Sequence, residues 1–164
     1  MKIRSMIFLL LSTIYLFSCE TESAIPADGI TLTSGQSFGF CIGPCYQTFT
    51  INSENTDVLF YVKSTEFKGN QGVAEELNYT DSLTDQEWNE IMNLVPDFNE
   101  FKQLNEVYGC PDCADGGAEF IEISKEGISH KVTFEYGKSI KELDKLIPLL
   151  RQKRQELSAK YVQI

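Results

Sequence analysis

The chain has 164 residues, with 14 Lys and Arg against 24 Asp and Glu and a formal charge of −10. That balance excludes general binding of nucleic acid or anionic head groups, because phosphates would be repelled. Hydrophobic residues make up 42% of the chain, enough at this length to bury the core of one domain without staples.

Lys2 and Arg4 precede an apolar run from Met6 to Phe17. Its length suits a signal h-region and falls short of a membrane span. The run ends in Leu16-Phe17-Ser18-Cys19, which resembles a bacterial lipobox. A small residue before the cysteine admits the signal peptidase, and the Cys19 thiol takes the lipid. The expected organisation is therefore a lipoprotein signal peptide over residues 1–18, a lipidated cysteine and tether over 19–29, and a single domain over 30–164. Loss of Lys2 and Arg4 would leave 12 basic and 24 acidic residues, a formal charge of −12. The expected location is the cell envelope, at the outer membrane on its periplasmic or surface face. The chain would hold the membrane through the lipid on Cys19 without spanning it. Glu20-Thr21-Glu22 resembles the acidic signals that send some Bacteroidota lipoproteins to the cell surface. A flexible linker carrying two glutamates fits the same residues equally well.

Short β-like pieces run from Ile30 to Phe40 around Ser34-Gly35, and Cys41-Ile42-Gly43-Pro44-Cys45 reads as a turn. Tyr46 to Ile51 alternates, with Gln47, Phe49 and Ile51 on one face, and is a strand. Val58 to Val62 is a second strand, continuous in apolar and aromatic residues. Gly69-Asn70-Gln71-Gly72 is a loop signal, and Glu75 to Tyr79 reads as a third, more exposed strand. Tyr46, Tyr61 and Tyr79 are then candidates for one exposed sheet face. Asp81-Ser82-Leu83 resembles the short O-glycosylation motif of exported Bacteroidota proteins, with Ser82 as the acceptor.

Thr84-Asp85-Gln86-Glu87 is a capping box. Trp88, Ile91, Met92 and Val95 follow at helical spacing, and Pro96 ends that helix. Asp97 to Glu100 caps a second short helix with Phe98, Phe101 and Leu104, for which Gly109 is the expected C′ residue. A hairpin pairs Ala118–Ser124 with Ser129–Tyr136 across Lys125-Glu126-Gly127. Ser139-Ile140-Lys141-Glu142 reads as a capping box opening a C-terminal helix, with Pro148 kinking or restarting it. The expected fold class is α+β: an antiparallel sheet with helices packed on one face, in roughly ββα-ββα order.

Cys41, Cys45, Cys110 and Cys113 remain when Cys19 is set aside. An even count in an exported chain reads first as two disulfides. Each motif is compact enough to close on itself, which favours local pairs, although cross pairs spanning some seventy residues would contribute more, roughly 4 kcal/mol in the loop-entropy model. Catalytic redox by Cys110 and Cys113 is disfavoured. The expected place after a helix C-terminus, among Asp112, Asp115 and Glu119, opposes a thiolate. Four thiolates from C-x3-C and C-x2-C could instead hold zinc. Asp112, Asp115 and Glu119 are hard oxygen ligands, but their spacing does not match an EF-hand, and a solvated acidic turn is the simpler reading. His130 shares parity with Val132 and Phe134 and reads as packed or edge-exposed. No nucleophile elbow or glycine-rich phosphate loop occurs.

The Cys41-x-Gly43-x-Cys45 turn before a strand, the Trp88 helix, the Cys110–Gly117 loop and the Ser129–Gly137 strand together resemble a family. It is the DUF6438 group of uncharacterised Bacteroidota lipoproteins, and the resemblance covers Phe38 to Leu150. That group typically has C-x-G-x-C-P-x-Y, where this chain has Tyr46 and Thr48 in place of the proline and the tyrosine. The resemblance implies an exported α+β domain and transfers no activity or functional residue. The resulting expectation is a membrane-anchored, non-enzymatic binding or structural domain that uses no cofactor and meets an unknown envelope protein or ligand. The alternative is a thiol–disulfide oxidoreductase or a four-cysteine zinc domain using Cys41, Cys45, Cys110 and Cys113.

Overall fold

The computed structural model describes residues 29–68 and 71–162. Residues 1–28, with the expected signal peptide, Cys19 and the expected tether, lie outside the described residues. The fold is α+β. Strands β1 (Thr31–Ser37), β2 (Gly43–Asn52), β3 (Asp57–Lys68) and β4 (Gln71–Ser82) come first, followed by helices α1 (Asp85–Met92) and α2 (Phe98–Phe101). Strands β5 (Val107–Tyr108), β6 (Ala118–Lys125) and β7 (Ile128–Glu135) and helix α3 (Leu146–Tyr161) complete the chain. The order is thus four strands, two helices, three strands and a helix, in place of a doubled ββα. The seven strands form one sheet in the order β4-β3-β2-β1-β6-β7-β5, antiparallel except for β5 beside β7.

Alternation decides which side chains meet the core. Leu32 pairs with Ile51 and Ile123, and Phe49 with Phe60, so these residues share one face. Val58, Val62, Ile121, Val132 and Phe134 join them in one buried cluster with Ile91, Phe101, Leu146, Leu150 and Leu157 from the helices. The opposite face carries Tyr46, Tyr61 and Phe120. Its centre is Gly35, where a side chain would run into the Phe120 ring. Tyr79 is on the core side instead, stacked on Tyr161 at 4.6 Å. Its partner Phe60 fixes that parity, so Tyr46 and Tyr61 share the open face without it.

Helix α3 crosses the strands and meets them one after another. Arg151 and Arg154 reach Glu119 on β6, and Arg154 reaches Ser34 on β1. Ser158 meets Gln47 on β2, the Tyr161 ring lies near Phe60 on β3, and Lys160 pairs with Asp81 on β4. From Arg151 to Tyr161 a helix rises about 15 Å. Four strand steps span about 19 Å, a difference that side-chain reach covers. The helix starts at Leu146, after a separate 3-10 turn at Lys141–Leu143 whose N-cap, Ile140, makes no side-chain cap. The expected Ser139 capping box is therefore corrected. Pro148 lies in the first turn of α3, where its missing N–H is not needed, so it neither kinks nor restarts the helix.

The capping box of α1 is present. Thr84 Oγ1 accepts from Glu87 N at 3.3 Å, and Glu87 accepts from Thr84 N at 2.8 Å. Glu87 also pairs with Lys153, tying α1 to α3. The Lys153 ammonium and the Thr84 N–H and hydroxyl together hold the Glu87 carboxyl down at about 2. Trp88 Nε1 donates to Asn52 O at 3.1 Å and anchors the same helix to β2.

Glu119 and Arg154 are 2% and 1% exposed, charged groups in the middle of the sheet–helix interface. Arg154 donates to Glu119, to Ser34 Oγ at 2.8 Å and to Gln36 Oε1 at 3.2 Å. Arg151 binds Glu119 Oε2 at 2.6 Å and the Lys138 carbonyl at 2.6 Å, and Gly137 N donates to Glu119 at 2.9 Å. Among the described residues no buried side-chain nitrogen or oxygen lacks a partner. Burial alone would raise the Glu119 carboxyl. The Arg151 hydrogen bonds, the Gly137 N–H and the charges of Arg154 and Arg151 outweigh it and hold the group below its usual value.

Three outcomes follow from the ion pairs of the structure. Glu119→Gln leaves buried guanidiniums without a counter-charge, and we expect a loss of about 3–5 kcal/mol at neutral pH, whereas Lys63→Ala, at the exposed Lys63–Glu76 pair, costs roughly 0.2–1 kcal/mol at most. Urea midpoints measure both. A carboxyl with a depressed folded value stabilises fully above its unfolded value and loses that contribution as pH falls. The contribution of Glu87 is therefore complete above 4.5 and fades toward about 2. Glu87→Gln should flatten the fall in stability across that window, as read from midpoints taken across it.

Candidate functional site

The register places the loops of the sheet at two ends. At one end lie Ile30, the Asn52–Asp57 turn and the Lys125–Ile128 turn, because Thr31 pairs with Asn52 and Ser124. At the other end Ser37 pairs with Tyr46 and Ala118, and Ala118 with Glu135. Residues 38–42, 109–117 and 136–140 therefore lie side by side there, next to the outer part of the β3–β4 hairpin. All four cysteines of the described residues are at this end.

The cysteines close locally. Cys41 bonds Cys45 and Cys110 bonds Cys113, each with Cα atoms 5.5 Å apart. Closing such small loops contributes about 2 kcal/mol each in the loop-closure model, about half of what a cross pair would, and each bond also fixes local shape. Cys41–Cys45 makes a hook between β1 and β2, closed by Phe38 N donating to Cys45 O at 3.0 Å. The hook presents Phe40 and Ile42, 81% and 71% exposed, as adjacent apolar tips. Phe38, Gly39, Cys45 and Thr65 complete a cleft of about 470 Å³ beside them.

The second loop is built around Asp112 and Gly117. Asp112 Oδ1 accepts from Gly117 N at 3.2 Å and from Gly39 N at 3.3 Å, so it joins this loop to the hook. Gly117 O accepts from Asp112 N and from Tyr136 N. Gly117 has a φ of +80°, and a side chain there would meet the Phe38 ring, which lies 4.9 Å from Tyr136. Asp112, Ala114 and Asp115 all have positive φ, an uncommon density of left-handed non-glycine residues. Such strain persists only where surrounding bonds over-determine the backbone, and here the disulfide and the Asp112 contacts do so.

Several expected site residues change place. The chain leaves α2 at Phe101 and forms β5 before the loop, so Gly109 is not a helix cap and no helix C-terminus faces Cys110. Gly109 instead lets Glu135 Oε1 accept from Cys110 N at 2.9 Å, in space a side chain would take. The carboxylates Asp112, Asp115 and Glu135, rather than a helix dipole, surround the Cys110–Cys113 pair. Glu119 is withdrawn into the arginine network on the core face, so it does not meet Asp112 and Asp115 in one acidic turn. Among the described residues no group of three or more His, Cys, Asp or Glu is placed to hold a metal ion. His130 Nε2 is 3.0 Å from Leu104 O, and its ring meets Phe101 edge-on at 5.5 Å, a packed position. Ser82 is exposed at the end of β4, with its N–H on Asp81, while Leu83 beside it is buried.

Two features were not read from the sequence. Arg154 falls on the apolar stripe of α3 between Leu150 and Leu157, and Glu119 has the inward parity of Ile121 and Ile123. Each departs from its pattern by one charge, and the two opposite charges are the signal that would have paired them. Phe40 and Ile42 are apolar residues within a glycine-rich turn, and their exposure depends on the hook that holds them. No protein-family model matches the chain, and no curated protein matches it.

Cys110 and Cys113 are both exposed, whereas Cys45 is buried. Mild reductant followed by a maleimide should therefore label Cys110 and Cys113 first, and unreduced protein should leave all four of these cysteines unlabelled. Peptide mapping of the labelled chain reads the order.

Proposed function

We propose that this chain is a lipid-anchored envelope protein whose folded part is a non-enzymatic binding module, working through the end of the sheet that carries both disulfides. The observation behind this reading is the separation of the two ends. The segment leading to β1 enters at Ile30, one full strand length from the hook. β1 has seven residues, so the hook lies about 23 Å along the strand from that entry. A lipid on Cys19 and a short polar tether would hold the entry end toward the membrane and present Phe40, Ile42 and the adjoining loop outward. Rigid loops on a stable sheet are where binding side chains concentrate, and large apolar tips held in place lose little freedom on contact. The 24 acidic against 12 basic residues left after loss of Lys2 and Arg4, a formal charge of −12, keep such a surface soluble and away from anionic lipids. The lipobox-like stretch Leu16–Cys19 supports the anchor, and the proposed location is the outer membrane. His130 and the four paired cysteines are committed to structure, which supports a binding role over chemistry.

The anchor and the hook are tested separately. Cys19→Ser should move the protein from the membrane fraction to the soluble fraction; unchanged fractionation would exclude the lipid anchor. Phe40→Asp with Ile42→Asp should leave the unfolding free energy, read from urea titration, within about 0.5 kcal/mol of the parent, as for surface positions. A large loss of stability would show that the two side chains serve the fold and not a partner.

A further inference from the structure

We infer that the cleft between β5, β7 and the linker that follows β7 binds a small amphipathic monoanion: an aromatic ring or short alkyl body bearing one carboxylate or sulfonate. This site is separate from the hook and does not depend on the lipid anchor. The cleft has a volume of about 470 Å³, lined by Tyr108, Gly109, Phe134, Ile140 and the side chains of the linker. Ligand sites of this size combine an apolar floor with a few convergent polar groups. Phe134 and Ile140 are buried and supply the floor, with Tyr108 beside them.

The charge pattern selects the ligand. Lys138 and Lys141 stand on the rim with Ser139 between them, and among the described residues neither lysine forms an ion pair. In so acidic a chain, two lysines without an ion pair beside an apolar floor are conspicuous. Two carboxylates also line the cleft. Glu135 accepts from the Cys110 N–H at 2.9 Å, and the second carboxylate, Glu142, would repel a ligand carrying more than one negative charge.

The walls are fixed before any ligand arrives. Arg151 holds the Lys138 carbonyl at 2.6 Å, and Glu119 holds Gly137 N at 2.9 Å, so the buried network sets the linker. Lys138 N bonds Glu135 O and Leu143 N bonds Ile140 O, closing the linker's two turns. Gly109, with φ of +71°, forms the facing wall. A pre-set cleft spares the ligand the ordering cost that weakens binding to mobile loops.

The test is a titration of the full folded domain followed by backbone amide NMR shifts, with 3-phenylpropionate, its neutral amide and phenethylammonium as probes. Saturable shifts at Gly109, Glu135 and Lys138–Lys141 are expected with the carboxylate. Binding of the amide should be about tenfold weaker, the scale of one charge-assisted hydrogen bond, and the ammonium weaker still. Lys138→Ala with Lys141→Ala, both at exposed positions, should erase the preference for the carboxylate while the amide still binds. Equal affinity for the three probes, shifts centred on Phe38–Cys45, no saturable shift at these amides, or a preference that survives the double substitution would each overturn the inference.

Discussion

The contact between Glu119 and the two arginines of α3 holds the rest of the structure in one arrangement. An apolar helix on an apolar sheet has many nearly equivalent positions, because dispersion and burial are not directional. A buried carboxylate that accepts from two guanidiniums and one backbone N–H is satisfied in only one of those positions. Desolvating these charges is costly, and the geometry offsets that cost only when every hydrogen bond is made. Here Ser34, Gln36, Gly137 and the Lys138 carbonyl satisfy what remains. The network therefore acts less as a source of net stability than as a device that sets register. From Arg154 outward, Ser158, Lys160 and Tyr161 then fall against β2, β4 and β3.

The same contact reaches the functional end of the molecule. Glu119 is the second residue of β6, directly after the Cys110–Gly117 loop, and Arg151 holds the linker that follows β7. The loop is joined to the hook by Asp112, which binds Gly39 N and Gly117 N together. Core, linker, disulfide loop and hook thus form one chain of bonds. The disulfides fix local shape within it, and both sit at the sheet end that carries the two most exposed apolar side chains.

Strand β2 was legible from its alternation over Tyr46–Ile51, and β3 from the continuous apolar and aromatic run Val58–Val62. The first helix was legible because Thr84 and Glu87 form a capping box with its own side-chain signature. β4 was read as Glu75–Tyr79 and runs from Gln71 to Ser82. Most of it is exposed on both faces, so side-chain alternation reports only the part covered by Tyr161. β5 was not legible, since two residues held through backbone bonds to β7 leave no pattern in the sequence. β1 was visible only in pieces because Ser34 and Gly35 are small where Arg154 and the Phe120 ring approach, a tertiary reason that local propensity does not contain. The candidate site was legible in its cysteines and illegible in its charges: the acidic loop reads as one cluster, yet Glu119 belongs to the core.

Backbone amide exchange in the parent and in Glu119→Gln tests most directly whether this network sets the position of α3 and the linker. Protection is predicted to fall first and furthest at Gly137 and over Leu150–Arg154, ahead of β2 and β3. Protection that is unchanged at these amides, or lost evenly across helix and sheet, would contradict it.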